Sequence, residues 1–290
     1  STYELGQSLL EIPFYALSQF VYPFFSQSDV NWIGFLFVGW LNPLLTALTC
    51  VTLYQICQEL GFRDRTALTL SLVFGLGTIA WVYSKGFTRE PLLGLLILLT
   101  FYATQRFSKT NQTRWLLFAG VLAGYLVFTK FLQVIVIPFF LIYVAVTTFQ
   151  SSRKATASPQ RSALAALQSS ALFILPMVAF LIVQGFYAWL RFGTLDLGII
   201  GIRFDLQAAL SLFVDKSNPV ATTVRLLFSP DKSIFLYSPP ILLFLVTWTE
   251  WFKKQAKEAA LALSLILSAL LIAVLRFDGD GGSWWGPRYL

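Results

Sequence analysis

A chain of 290 residues that is 57% apolar and only 12% charged, with a mean hydropathy of +0.70, has too little polar side chain to wrap a soluble domain of its size. Its formal charge of +7 does not mark a nucleic-acid binder, because Lys and Arg are spread over many short loops rather than massed beside stacking aromatics. There is no histidine, and Cys50 and Cys57 both sit inside an apolar run, which excludes His/Cys metal chemistry and any triad that needs imidazole.

From the N-terminus, Ser1 opens in polar sequence with no charged n-region and no cleavage site, so the chain reads as a piece of a longer protein with a span expected before it. Residues 5–25 are apolar but interrupted by Gln7, Glu11, Pro13, Gln19 and Pro23, which suits a helix lying along the membrane surface, with Phe14, Tyr15, Phe20, Tyr22, Phe24 and Phe25 at headgroup level. A crossing needs roughly 20 apolar residues. Candidates are 31–58, 67–84, 91–106, 115–130, 132–149, 163–190, 236–252 and 259–276, about eight spans in a single all-α transmembrane domain over 1–290. Trp115–Phe149 is too long for one straight span and is broken by Lys130 and Gln133, so a tight hairpin is expected there with Lys130 at the surface.

The loops between the spans sort by charge. Those at 59–66 (Arg63, Arg65), 106–114 (Arg106, Lys109, Arg114), 150–162 (Arg153, Lys154, Arg161) and 253–258 (Lys253, Lys254, Lys257) are all basic, as cytoplasmic loops tend to be. The opposite, exoplasmic side then holds residues 1–30, the loop at 85–90, the Lys130 turn, a long loop over 191–235 and the segment after Asp278; it carries ten of the fourteen acids.

Five exoplasmic features are candidates for chemistry. In Lys85-Gly-Phe-Thr-Arg-Glu-Pro91, Pro91 suits the first turn of a helix, so Glu90 falls at a positive helix end with Lys85 and Arg89 nearby; an ordinary acidic helix start has the same pattern. A lone Lys130 in an apolar hairpin is costly in lipid and turns toward a partner or a polar cavity, or else snorkels to the headgroups. Arg225 and Lys232 flank a Ser-Pro-Asp-Lys turn that returns the chain to the membrane. Asp278-Gly-Asp-Gly-Gly-Ser-Trp-Trp-Gly-Pro-Arg-Tyr-Leu290 offers Trp284 and Trp285 as stacking faces and Arg288 as an anion clamp; its Asp-x-Asp pair fits a divalent ion in principle, but an anion or sugar role is favoured and no metal is assigned. Finally Glu4 and Glu11, near the start of the interfacial helix, are candidates to face the same cavity as Glu90, which the sequence alone does not establish.

Taken together, Tyr3–Pro13, Glu90-Pro91, Phe128-Thr-Lys130, Leu227–Pro240 and Trp284-Trp-Gly-Pro-Arg-Tyr-Leu290 resemble the GT-C glycosyltransferases, in the branch of the protein O-mannosyltransferases and the lipid A aminoarabinose transferase. The resemblance implies a mannosyltransferase-like membrane enzyme that moves a sugar from a polyprenyl-phosphate carrier to a protein, lipid or glycan acceptor, with inversion, on the outer face of a bacterial plasma membrane. It implies a base in the first exoplasmic loop, upstream of Ser1, with Glu4 as the fallback and Glu90 as a second acid. Lys85, Arg89, Lys130 and Arg288 fall on the side where the departing phosphate needs cations, and Arg225, Lys232, Tyr289, Trp284 and Trp285 are further candidates for binding substrate. The rival is a non-catalytic membrane protein: a lipid-carrier flippase, a transporter or a scaffold. A transporter is expected to show polar interruptions at the midplane in two related halves. No internal repeat is present, and apart from Lys130 the spans are nearly free of charge.

Overall fold

The computed structural model describes residues 5–26, 30–156, 158–193, 219–230 and 232–276, which form helices and turns with no strand among them. The helices are α1 (Gly6–Gln19), α2 (Val30–Gly39), α3 (Leu41–Glu59), α4 (Asp64–Gly77), α5 (Ala80–Ser84), α6 (Glu90–Thr110), α7 (Thr113–Thr129), α8 (Ile137–Thr156), α9 (Pro159–Phe192), α10 (Pro219–Phe228), α11 (Ile234–Tyr237), α12 (Ile241–Lys254) and α13 (Ala256–Arg276). Short 3₁₀ turns occupy Tyr22–Phe24 and Phe131–Val136. Local chemistry sets several of these boundaries. α6 opens at Glu90 with Pro91 in its first turn, where a missing N–H costs nothing. It stops at Asn111 (φ 52°), and α9 stops at Gly193 (φ 70°), each in the left-handed conformation that ends a helix.

Contacts sort the helix ends into two faces. On the first, the carboxylate of Glu59 accepts from Arg106 and Lys109, the Asn111 amide donates to Ser151 Oγ (3.3 Å), and Gln255 Nε2 donates to the Leu60 carbonyl (3.0 Å). All four basic loops therefore meet at one end. On the second face, Asn42 reaches the 85–89 loop, Arg89 reaches the end of α7, α1 packs on that same end, and the Ile79 N–H donates to Ser238 Oγ (3.3 Å). The alternation of charge in the sequence corresponds to these two ends.

Between them the core is helix on helix: α7 lies against α6 and α9, α9 against α8, and α3 against α6. Phe140, Phe173, Leu126 and Ala123 are fully buried. The α7–α9 contact is close because Gly120 and Gly124 are spaced one helical turn apart; a Cβ on Gly120 would lie 2.2 Å from the Phe173 carbonyl oxygen, and one on Gly124 would lie 2.6 Å from a Phe180 ring carbon. Small residues at this spacing let helices approach backbone to backbone in lipid, where no hydrophobic force drives them together. The outer surface is apolar. Leu167, Leu175, Ile182 and Leu190 form a stripe along α9, each at least 64% exposed, and only 17% of the most apolar window of this helix is covered by protein. A surface of this kind requires a hydrocarbon solvent.

Four helical stretches are long and apolar enough to cross a membrane: Asn31–Glu59, Phe131–Ala155, Pro159–Arg191 and Ala256–Ala273. The other four expected crossings run between the same two ends but fall short. The 67–84 segment is broken after Gly77, where Thr78 is extended and its hydroxyl replaces the backbone ladder, donating to the Phe74 carbonyl (2.6 Å) and accepting from the Ala80 N–H (3.2 Å). α7 has 17 residues and α12 has 14. α6 has 21, with Gln105, Arg106 and Lys109 diluting its last turns. The expected tight hairpin at Lys130 is also opened out: α7 ends at Thr129, Lys130 is extended (φ −155°, ψ 105°), and the 3₁₀ turn precedes α8.

Candidate functional site

Thr129, the last residue of α7, is fully buried and is where three segments meet. The guanidinium of Arg89 donates from Nη1 to the Thr129 carbonyl (3.3 Å), which fixes the start of α6 against the end of α7. Gly6 rests on Thr129 from the other side, so closely that a Cβ would lie 2.2 Å from Thr129 Oγ1, and the Tyr125 hydroxyl donates to the Gly6 carbonyl. Only glycine allows that approach of α1. Lys130 follows directly, half-buried in extended backbone.

Glu90 is the first residue of α6, half-buried, with its Oε2 closed off from solvent. It sits at the positive end of the α6 dipole, directly after the Arg89 that reaches the Thr129 carbonyl; Lys130 follows Thr129 in the chain. The loop leading to it is stapled from α3. Asn42, in the first turn of α3 and 3% exposed, donates from Nδ2 to the carbonyls of Gly86 (2.5 Å) and Thr88 (2.8 Å). On α1, Glu11 lies one turn beyond Gln7; burial pushes its carboxyl above the ordinary carboxylate range, partly countered by a hydrogen bond from Gln7.

The structure thus brings together Arg89, Glu90 and Lys130 from the predicted set. Lys85 stands apart: it is exposed and lies over the Trp81 ring, 4.2 Å from its centroid. Arg225 is half-buried on α10. Lys232 is buried in the turn between α10 and α11, where Ser233 Oγ donates to the Leu227 carbonyl (2.6 Å) and accepts from the Leu236 N–H (3.3 Å). That turn joins the same end of the bundle through Ser238 and Ile79. Glu4, Trp284, Trp285, Arg288, Tyr289 and the Asp278/Asp280 pair lie outside the described residues. Among the described residues no group of three or more His, Cys, Asp or Glu is placed to hold a metal ion.

Sequence reasoning missed Gly6, Asn42 and Thr129. Asn42 had a readable signal, a primary amide before Pro43 at the start of an apolar run, where an unmatched amide is expensive. Gly6 and Thr129 had none, since their role is a contact between residues more than 120 positions apart.

The arrangement sets basic residues and a helix N-terminus beside a carboxylate, at one end of an apolar bundle. Two cations and a helix N-terminus attract negative charge, and the carboxylate can orient or deprotonate a hydroxyl. Comparison with curated proteins and with solved structures gives no match. One family model does match, that of the dolichyl-phosphate-mannose-protein mannosyltransferases, over residues 34–168, a stretch running from α2 into α9 that contains Asn42, the 85–90 loop, Thr129 and Lys130. Over that stretch, rather less than half of its length, the chain is similar to the dolichyl-phosphate-mannose-protein mannosyltransferases, a similarity that accords with its apolar helical bundle.

Proposed function

We propose that the protein transfers a sugar from a polyprenyl-phosphate carrier to an acceptor hydroxyl at the membrane face opposite its basic loops. The observation that carries this is the hydrogen bond from Arg89 to the Thr129 carbonyl, which brings the segments bearing Glu90 and Lys130 to one junction, at the end of the bundle away from Arg106, Lys109 and Gln255. By the tendency of basic loops to stay cytoplasmic, that end faces outward. α4 with α5, α6, α7 and α12 serve as the remaining, thinner crossings, giving eight, and α1 lies in the headgroup layer.

In the transfer, the acceptor oxygen forms a bond to the anomeric carbon as the bond from that carbon to the carrier's phosphate oxygen breaks. The bonding pair leaves with the phosphate. Arg89 and Lys130 neutralise the charge that grows on it, and the α6 dipole adds to them. The acceptor proton passes to a carboxylate. Glu90 orients the acceptor, and Glu4, two residues before Gly6, is the proposed base. In-line displacement inverts the anomeric centre. The prenyl tail lies along the apolar outer surface of the helices, and the acceptor is a protein, lipid or glycan hydroxyl.

The test is turnover of polyprenyl-phosphate mannose by the intact protein carrying Arg89→Ala, Lys130→Ala or Glu90→Gln. Each cation removed from a desolvated phosphate is expected to lower kcat/KM about tenfold to a hundredfold, the range for a charge-assisted hydrogen bond. Glu90→Gln is expected to lower kcat at least as much. Near-normal turnover in all three would remove the site assignment.

A further inference from the structure

Three buried oxygen atoms around the same junction have no hydrogen-bond partner: Gln7 Oε1, Asn42 Oδ1 and Thr88 Oγ1. Their residues are 5%, 3% and 3% exposed, so bulk water does not satisfy them. Two of the orientations are forced. Asn42 spends its Nδ2 hydrogens on the Gly86 and Thr88 carbonyls, which leaves Oδ1 an acceptor only. Gln7 gives its amide hydrogen to Glu11, which leaves Oε1 likewise an acceptor. All three hang from one joint: Thr88 precedes the Arg89 that holds the Thr129 carbonyl, Asn42 grips the Thr88 carbonyl, and Gln7 follows the Gly6 that packs on Thr129.

Leaving three polar atoms buried and unpaired is costly, and such atoms mark a place that something else completes. Two pure acceptors and a hydroxyl call for a ligand rich in O–H donors. A phosphate brings mainly acceptor oxygens and is repelled here. We infer that Gln7, Asn42 and Thr88 form a hydroxyl-reading subsite for the pyranose of the donor, adjoining the phosphate site of Arg89 and Lys130. This rests on the donor class proposed above and adds to it a division of labour: cations hold the carrier, and neutral acceptors read the sugar. A site built to pair with a substrate hydroxyl discriminates strongly against a donor lacking it.

The experiment compares binding of two lipids, polyprenyl-phosphate mannose and bare polyprenyl phosphate, to the intact protein in nanodiscs. Gln7→Leu and Thr88→Val are each expected to weaken the mannosyl lipid about tenfold and to leave the bare lipid unchanged; Thr88→Val, which deletes only an unpartnered buried hydroxyl, is expected to leave the unfolding temperature equal or higher. Thr88→Ser, which keeps the hydroxyl, is expected to bind like the unsubstituted protein. Unchanged affinity for the mannosyl lipid would overturn the subsite, as would an equal loss for both lipids. Loss of mannosyl binding on chelation, restored by Mg²⁺, would also overturn it by giving the oxygens to a cation. Failure of the unsubstituted protein to bind either lipid would overturn the donor assignment itself.

Discussion

Replacing Asn42 isolates the staple from the bundle it is anchored in. Asn42→Leu keeps roughly the same volume but removes both donors, leaving the carbonyls of Gly86 and Thr88 unmet in a nearly dry environment. An unmet buried acceptor costs about 1–3 kcal/mol, so the two together weaken the native position of the 85–89 loop by about 2–4 kcal/mol after some relaxation toward water. At about 1.4 kcal/mol per decade this shifts the local equilibrium thirtyfold or more toward a displaced loop. The competent population falls with it, and apparent donor affinity drops in proportion. Asn42→Asp separates donors from size: it is nearly isosteric, but it has no donor when ionised and a single one when protonated, so it cannot meet both carbonyls. Both variants are expected to lose at least tenfold in kcat/KM for polyprenyl-phosphate mannose, while thermal unfolding in detergent moves by only a few degrees. Asn42→Asp with full transfer activity would refute the stapling role.

Three other outcomes are expected. Gly120→Ala puts a methyl 2.2 Å from the Phe173 carbonyl, so α7 and α9 must separate; a loss of about 1–3 kcal/mol is expected in denaturant unfolding of the reconstituted protein, larger for Gly120→Val. Glu59→Gln removes one partner of the Arg106/Lys109 cluster at the partly exposed basic end and is expected to cost at most about 1 kcal/mol, with donor turnover unchanged. Glu11 binds its proton more tightly folded than unfolded, so stability falls as pH rises from the ordinary carboxylate range through its raised folded value; Glu11→Gln is expected to raise the unfolding temperature at pH 7, with the gain vanishing near pH 4. A gain of equal size at both pH values would show that proton linkage is not the cause.

Much of the architecture was written in the sequence because a bilayer simplifies the problem. Apolar run length predicted the long helices, and the basic loops predicted which ends meet, as the Glu59–Arg106 and Gln255–Leu60 contacts show. Pro91 placed the start of α6 and hence Glu90 at its positive end. Apolar composition alone did not reveal the break at Thr78, which depends on a hydroxyl competing with the backbone, or the 3₁₀ turn after Lys130. Of the candidate site, the sequence displayed only the charges. Lys130 stood out because a cation in an apolar run needs a reason, whereas Gly6, Asn42 and Thr129 matter through contacts that join α1, α3, α6 and α7.

The central claim is that a lipid-linked phosphate is held where α6 begins and α7 ends. A polyprenyl phosphate with a photoreactive group on its first isoprene unit, irradiated with the intact protein in a bilayer and mapped by peptide mass, tests this directly. Label is expected on the peptides carrying Phe87–Leu93 or Thr129–Phe131, competed away by unlabelled polyprenyl phosphate. Competable label at the opposite end instead, around Gln105–Thr113 or residues 150–161, would contradict it.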